Sequence, residues 1–148
     1  MNNIRDFRLD DARPLAELWL ESAQKGHPFL PAAYWQDRKV LVRDVYFPNS
    51  ATRVCEDGGV LKGFLSLVDG SFIGALFVSP SFWGEGTGSA LLRDCQKRRI
   101  NLTLAVYREN LRAVGFYQKH GFQIVLEQEN EDSSRPEYLI AWQKEARP

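Results

Sequence analysis

The stretch from Val78 to Leu92 combines residue types that can hold an anion. An apolar run and Pro80 lead into three glycines, Gly84, Gly86 and Gly88, and an apolar helical pattern follows. We expect a strand, a turn and a helix start, where free backbone N–H groups and the positive end of the helix dipole favour a phosphate. Glycine lets an anion approach the amides and reaches dihedral angles that other residues avoid. An ordinary turn is the alternative interpretation of the same cluster.

A second set of polar and aromatic residues lies in the segment NLRAVGFYQKHGF. Asn110 stands where a helix should begin, and Gly121 stands where it should end. Asn110 and Tyr117 share one helical face and lie about 10 Å apart along it, from the rise per residue. They are therefore spaced to contact two parts of one extended ligand.

The elements around these segments predict a mixed sheet with helices on its faces. We expect a first strand at residues 3–9, a helix capped by Asp10 or Asp11 and stopped by Gly26 and Pro28, and a broken helix at 31–46. From Thr52 three strands joined by Asp-Gly turns form an antiparallel meander. Beyond the glycines we expect helices at 89–99 and 110–120, and strands at 102–107, 122–128 and 138–142.

Length and composition favour one domain without an overall excess of positive or negative charge. The 148 residues are 44% hydrophobic, and 19 Lys and Arg balance 19 Asp and Glu, which argues against nucleic acid or an anionic membrane as a partner. We find no membrane span and no signal-peptide core, and we expect a cytoplasmic location. The two histidines lie far apart and give no metal-ligand spacing, and Cys55 and Cys95 are interpreted as core residues.

Both segments resemble signature motifs of the GNAT (Gcn5-related) N-acetyltransferases. The first motif, V-x-P followed by [RQ]-x-x-G-x-[GA], is matched at Val78, Pro80, Gly86 and Gly88 but not at Trp83. The second, N-x-x-A-x-x-F-Y-x-x-x-G-F, is matched throughout, at Asn110, Ala113, Phe116, Tyr117, Gly121 and Phe122. The order of helices and strands resembles that of the family over nearly the whole chain. Within the family, a bacterial group of short acetyltransferases is similar in the segments ELWLES (17–22) and GHPF (26–29).

The resemblance implies a fold, a cosubstrate and a reaction. The fold is α/β: a single domain over residues 1–148, with a mixed, mostly antiparallel seven-stranded sheet, about four helices and a splayed parallel strand pair at 73–78 and 102–107. The cosubstrate is acetyl-CoA, without a metal, and the acetyl group passes directly to a primary amine. We expect a protein lysine; a small amine or a protein N-terminus stays open, as does the choice between monomer and homodimer.

The resemblance also assigns roles to residues along the coenzyme. The backbones of Phe77 and Val78 would pair with the pantetheine arm, much as an added strand pairs with an edge. Asn110 would meet the same arm, and Tyr117 would give a proton to the departing CoA thiolate. The pyrophosphate would lie on the amides of Trp83, Gly84, Glu85, Gly86, Thr87, Gly88 and Ser89. Trp83 lacks the side-chain phosphate contact of the family motif, whereas the backbone contribution does not depend on residue type.

The acceptor side is less defined, and each candidate there has a structural alternative. Phe72 would line the acceptor channel or belong to the core, and His27 would line one wall or be a buried, hydrogen-bonded structural residue. Glu129, with Glu127, Glu131 and Asp132, would attract a cationic amine or form an ordinary solvated loop. We assign no general base, because the strand SFIGALFV carries no carboxylate and Glu109 is typical of a solvated acid at a helix start.

Two other classes of protein compete with this interpretation. The first is a dinucleotide-binding oxidoreductase, whose fingerprint is partly matched by Gly86, Gly88 and the acid Glu109. Leu91, however, occupies the position of the third glycine, and the loop follows an antiparallel meander rather than the opening strand of a nucleotide-binding unit. A non-catalytic module that binds acetyl-CoA and signals through a partner would keep the loop without the chemistry. The intact Asn110 and Tyr117 argue against such a module, and acetyl-CoA turnover distinguishes the two.

Overall fold

Seven strands and five helices form within residues 2–145, which are the residues described by this computed structural model. The chain divides between Cys95 and Gln96 into two units, each with its own internal contacts.

No helix in the described part of the chain is long and apolar enough to cross a membrane. Both cysteines are buried thiols in the core, which confirms their interpretation as core residues.

The first unit is built on the predicted antiparallel meander. Its strands are β1 (Asn3–Asp6), β2 (Ala51–Asp57), β3 (Val60–Val68) and β4 (Phe72–Val78), each paired antiparallel with the next. The turn between β2 and β3 consists of Gly58 and Gly59, with φ of +57° and +84°. Positive φ at both central residues is what a two-residue hairpin turn of this kind requires.

The helices of this unit follow the predicted order. α1 (Ala12–Gly26) turns Leu15, Leu18 and Trp19 inward, and the broken second helix consists of α2 (Ala32–Gln36), α3 (Lys39–Leu41) and a π-helical turn (Val42–Tyr46). α4 (Thr87–Arg98) begins after the glycines. Aromatic rings join α1 to the sheet, since Trp19 lies 6.3 Å from Phe77 between ring centroids and Phe77 lies 6.1 Å from Phe64.

Two predictions at the N-terminus are wrong. The first strand ends at Asp6 rather than at residue 9, because a 3₁₀ turn (Leu9–Asp11) precedes α1. Neither Asp10 nor Asp11 caps α1 through its side chain. The Asp11 carboxylate instead accepts hydrogen bonds from the Arg5 guanidinium at 2.8 and 2.9 Å and from the Arg8 amide at 2.7 Å. Two parallel hydrogen bonds between oppositely charged groups are stronger than a single capping bond from a carboxylate to a backbone amide, and the sequence pattern does not show that pairing.

The second unit is a three-stranded antiparallel sheet with one helix against it. β7 (Pro136–Gln143) lies between β5 (Asn101–Tyr107) and β6 (Gln123–Glu129), and α5 (Leu111–Lys119) connects β5 to β6. These bounds agree with the predicted elements to within two residues at each end. Leu102, Leu104 and Ile140 are buried, whereas every residue of β6 is exposed.

Candidate active site

The glycine loop has the strand, turn and helix start predicted from its sequence. β4 ends at Val78, a 3₁₀ turn (Pro80–Phe82) follows, and the chain reverses through Gly84 and Gly86, whose φ angles are +81° and +85°. The Gly86 carbonyl accepts the hydrogen bond of the Ala90 amide at 3.0 Å. The amides of the first turn of α4 precede that bond and have no carbonyl acceptor within the helix. The local geometry is that of an anion-binding helix N-terminus.

Thr87, the first residue of α4, carries a buried and unpaired hydroxyl. Its exposed fraction is 1%, and its Oγ1 has no hydrogen-bond partner among the residues that the structure describes. Burying a hydroxyl without a partner costs on the order of 1–3 kcal/mol. A ligand or a bound water that supplied the missing partner would recover that cost.

Trp83, which departs from the family motif, makes its own contacts at the start of the loop. Its indole Nε1 donates to the Val78 carbonyl at 2.7 Å, and the Nζ of Lys25 lies 5.5 Å from the ring centroid. The Val78 carbonyl therefore already accepts one hydrogen bond and has one lone pair left for a pantetheine amide. The predicted pairing of Phe77 and Val78 with that arm stays a prediction.

A buried lysine accompanies the one acidic residue of the loop. Lys62 on β3 has an exposed fraction of 6%, donates to Asn2 Oδ1 at 2.8 Å, and places its Nζ 3.7 Å from Glu85 Oε1. The positive charge offsets the repulsion between Glu85 and a bound anion. Sequence reasoning missed Lys62, although a single lysine inside the apolar strand VLKGFLSLV is a signal for a buried charge with a partner.

In the second unit, Asn110 and Gly121 begin and end the helix that carries Tyr117, as predicted. Asn110 is the N-cap of α5, and its Oδ1 accepts from the Ala113 amide at 3.2 Å. Gly121 has φ of +91°, and a Cβ there would lie 3.2 Å from Cδ1 of Trp142. Contact of Asn110 with the coenzyme stays a prediction.

Tyr117 is buried on α5 with its ring enclosed by aromatic neighbours. Its exposed fraction is 6%, and its ring centroid lies 5.1 Å from that of Phe116 and 5.4 Å from that of Phe122. Burial raises the pKa of Tyr117 well above that of an ordinary tyrosine. Across residues 2–145 the structure gives its hydroxyl no hydrogen-bond partner. Tyr117 is therefore a neutral phenol whose proton is not committed to another residue of the described chain.

His27 is the buried, hydrogen-bonded histidine of the structural alternative. Its Nδ1 donates to the Ala23 carbonyl at 2.7 Å, and its ring lies 4.7 Å from Trp35 and 5.6 Å from Phe29. Burial lowers the pKa of His27 below its ordinary value, so the ring is neutral near pH 7. Phe72, at the start of β4, is about one-third exposed. Contact of either residue with an acceptor stays a prediction.

The acidic residues near the last loop are partly matched by arginines. Glu129 is exposed, and Glu127 pairs with Arg108 at 3.1 Å in a contact where both side chains are about half exposed. Arg135 lies 3.5 Å from Glu109. Exposed pairs of this kind contribute little to stability. They also weaken the negative field that the four acidic residues would otherwise produce.

The loop itself is ordered by local hydrogen bonds. Asn130 Oδ1 accepts from the amides of Asp132 and Ser133 at 3.0 and 2.8 Å, and the hydroxyls of Ser133 and Tyr107 lie 3.0 Å apart. Glu137, only 8% exposed, accepts from the side-chain amide of Asn130 at 2.9 Å. The loop is thus fixed to the ends of β5 and β7. Sequence reasoning identified it only as a polar stretch.

Three comparisons with known proteins place this chain in a class. The family described as the acetyltransferase (GNAT) domain matches residues 48–124, which contain the glycine loop and the Asn110–Tyr117 helix. In the residues described, no group of three or more His, Cys, Asp or Glu side chains is arranged to hold a metal ion. The chain belongs to the GNAT acetyltransferase family and is an acyltransferase.

Individual relatives are similar over almost the whole chain. Peptidyl-lysine N-acetyltransferase YiaC of Escherichia coli (strain K12) is 40% identical over 139 residues, which cover 94% of this chain and 95% of YiaC. The solution structure of apo-form YjaB from Escherichia coli superposes with a TM-score of 0.85 at 30% identity, over 98% of this chain and 99% of YjaB. These similarities confirm the predicted family, the bacterial group within it and the mixed α/β fold class.

A third structure extends the likeness in fold. The PaiA N-acetyltransferase from Thermoplasma acidophilum, solved in complex with coenzyme A, has a TM-score of 0.76 at 19% identity, over 97% of this chain and 99% of that chain. At this identity the likeness concerns the fold alone.

The dinucleotide-binding alternative considered from the sequence is excluded by the family membership.

Proposed function

We propose that residues 1–148 act as one acetyltransferase domain that moves the acetyl group of acetyl-CoA to the side-chain amine of a protein lysine. The similarity to YiaC, a peptidyl-lysine N-acetyltransferase, over 94% of the chain carries the choice of acceptor. The choice of chemistry rests on Tyr117, which matches the family motif and is a buried residue whose hydroxyl has no hydrogen-bond partner among the described residues.

The glycine loop is the proposed site of the coenzyme pyrophosphate. The free amides at the start of α4 and the buried hydroxyl of Thr87 supply donors, and Lys62 offsets the charge of Glu85. Gly84 and Gly86 adopt positive φ and carry no side chain, so at these positions no side chain of their own covers the backbone of the turn. The proposed contacts are those of residues 83–89 with the pyrophosphate and of Phe77, Val78 and Asn110 with the pantetheine arm.

Bound acetyl-CoA supplies an activated thioester, whose C–S bond breaks as the C–N bond to the amine forms. The chain must then stabilise negative charge on sulfur, and Tyr117 can donate a hydrogen bond there. A thiol has a pKa of about 8.5 and an ordinary tyrosine about 10, so complete proton transfer from Tyr117 is unfavourable, and its raised pKa increases that difference. We therefore assign Tyr117 the role of a hydrogen-bond donor to the leaving thiolate. The proton that converts the thiolate to a thiol is the one that the attacking amine loses.

The acceptor amine must be neutral to attack. A lysine amine has a pKa of about 10.4, so only about one in 2,500 is neutral at pH 7. β4 carries no carboxylate, and His27 is neutral but enclosed by aromatic rings. We assign no general base, and Glu129 with its acidic neighbours is proposed only to attract the cationic form of the acceptor.

A transfer assay with matched peptides tests this function. One peptide carries a single lysine and a blocked N-terminus, a second has a free N-terminus and no lysine, and spermidine represents small amines. Release of CoA thiol gives the rate, and mass spectrometry gives the acetylated atom. We expect transfer to the lysine peptide; acetylation of the second peptide or of spermidine alone would contradict the lysine assignment. Tight acetyl-CoA binding without transfer to any acceptor would identify a non-catalytic binding module.

A further inference from the structure

The glycine loop carries a tryptophan where the family motif has arginine or glutamine, and a lysine from another element lies over that tryptophan. The Nζ of Lys25 is 5.5 Å from the centroid of the Trp83 ring. Both residues belong to the first unit, and α1 approaches the 3₁₀ turn that leads into the loop. A cation within about 6 Å of an indole face is attracted by the ring quadrupole.

Lys25 is available to a ligand in this position. Its side chain is exposed in the last turn of α1, and within residues 2–145 no carboxylate pairs with it. A cation in the last helical turn is also favoured by the helix dipole, which is the purely structural explanation of a lysine here. That explanation accounts for the charge but not for the contact with Trp83.

Trp83 is held in place by its own hydrogen bond. Its indole N–H donates to the Val78 carbonyl at 2.7 Å, so the ring is tied to the end of β4. Because the indole N–H lies in the plane of the ring, this anchor does not involve the face over which the ammonium of Lys25 lies. The nearby acid Glu85 is occupied by Lys62 at 3.7 Å. The loop therefore has one lysine matched to its acid and a second one over its tryptophan.

We propose that Lys25, positioned by the face of Trp83, supplies to the coenzyme pyrophosphate the positive charge that an arginine at position 83 would supply in the family motif. This inference rests on the proposed function of the loop. Lys25 is the binding residue and Trp83 a positioning residue. The ligand is a diphosphate ester, and the contact is ionic and exposed to solvent, so salt weakens it.

The test measures binding of CoA and 3′-dephospho-CoA by calorimetry at low and at high salt. At low salt Lys25→Ala should weaken the binding of both ligands by about fivefold, the scale expected for one solvent-exposed charge near a diphosphate. The loss should shrink at high salt, and Lys25→Arg should bind nearly as wild type. Lys97→Ala is the matched control, because Lys97 is also an exposed lysine in the last turn of a helix.

Changes at position 83 test the positioning role. Trp83→Phe keeps a ring face without the indole N–H, so Lys25→Ala should still weaken binding in that background, by a smaller factor. Trp83→Ala removes the face, and Lys25→Ala should then have little further effect. Trp83→Arg in the Lys25→Ala chain should restore the affinity, because the charge returns at the position of the motif. Thermal unfolding of each variant establishes that it is folded.

The outcomes separate this inference from the proposed function. Equal affinities of wild type, Lys25→Ala and Lys97→Ala at low salt would overturn the role of Lys25 while leaving the coenzyme site intact. A loss confined to CoA and absent with 3′-dephospho-CoA would overturn the assignment to the pyrophosphate. A wild-type chain that binds neither ligand would overturn the proposed function together with the inference.

Discussion

Replacing Tyr117 by Phe removes one oxygen from a buried ring that packs against two phenylalanines. The hydroxyl has no hydrogen-bond partner in the described part of the chain, and phenylalanine keeps the ring that packs against Phe116 and Phe122. The substitution therefore breaks no internal bond and leaves no cavity larger than the oxygen. We expect the free energy of unfolding at pH 7 to change by less than about 0.5 kcal/mol.

The effect on transfer should be much larger. A hydrogen bond to a charged group contributes about 1.5–3 kcal/mol, and here it would form only as charge develops on the thiolate. Each 1.36 kcal/mol corresponds to a factor of ten in rate, so Tyr117→Phe should lower kcat by about 10- to 150-fold. Affinity for acetyl-CoA should stay within about twofold, since the ground-state thioester carries no charge on sulfur.

The assay measures kcat at saturating acetyl-CoA, the dissociation constant of CoA and the urea midpoint, for wild type, Tyr117→Phe and the exposed control Tyr46→Phe. An unchanged kcat in Tyr117→Phe would refute the donor role. The reasoning would also be refuted if the free energy of unfolding fell by as much as the activation free energy of transfer rose, because the hydroxyl would then have a structural role.

The raised pKa of Tyr117 adds a check on pH. An unfolded chain loses the tyrosine proton near pH 10, while the folded chain keeps it, so the unfolded state binds fewer protons above pH 10 and stability falls there. Wild type should lose stability between pH 10 and 11 faster than Tyr117→Phe. Parallel stability curves in that range would contradict the buried, neutral phenol.

Three further predictions concern the residues around the site, and urea unfolding and CoA binding test them with four substitutions. Gly63→Ala should destabilise by about 1–3 kcal/mol, since a Cβ would lie 2.8 Å from the Phe77 carbonyl, whereas Gly115→Ala in α5 meets nothing within 4 Å and should stabilise by up to about 1 kcal/mol; equal effects would contradict the register. Gly86→Val forces φ of +85° on a branched residue and should weaken CoA binding by about tenfold or more; unchanged binding would separate the loop from the coenzyme. Asp11→Asn should cost about 1 kcal/mol at pH 7; because Arg5 lowers the pKa of Asp11, that contribution starts to fall as pH drops through the ordinary carboxyl range and is lost only below the lowered pKa, so a difference that does not shrink at all as pH falls from 5 to the acid limit of folding would refute the pairing.

Much of the local structure follows from patterns that act over a few residues. The apolar period of α1, the meander with its glycine turns, the glycine loop and the Asn110 cap all depend on neighbouring residues, and all are found where they were predicted. The errors near Asp6 and Asp11 have a nonlocal cause. The Arg5 guanidinium donates hydrogen bonds to Asp11 and to Glu56, which lies 51 residues away on the next strand. The Asp11 carboxylate therefore pairs with Arg5 instead of capping α1.

The sequence by itself determined the family, the order of the elements and the residues of both motifs, because spacing along the chain is sufficient for each. Only the tertiary structure decided what surrounds those residues. It buried Tyr117 and so raised its pKa, paired Lys62 with Glu85, and brought Lys25 of α1 over Trp83, 58 residues further along the chain. Burial and charge pairing depend on distances in space between distant segments, and the periodicity of a sequence does not contain those distances.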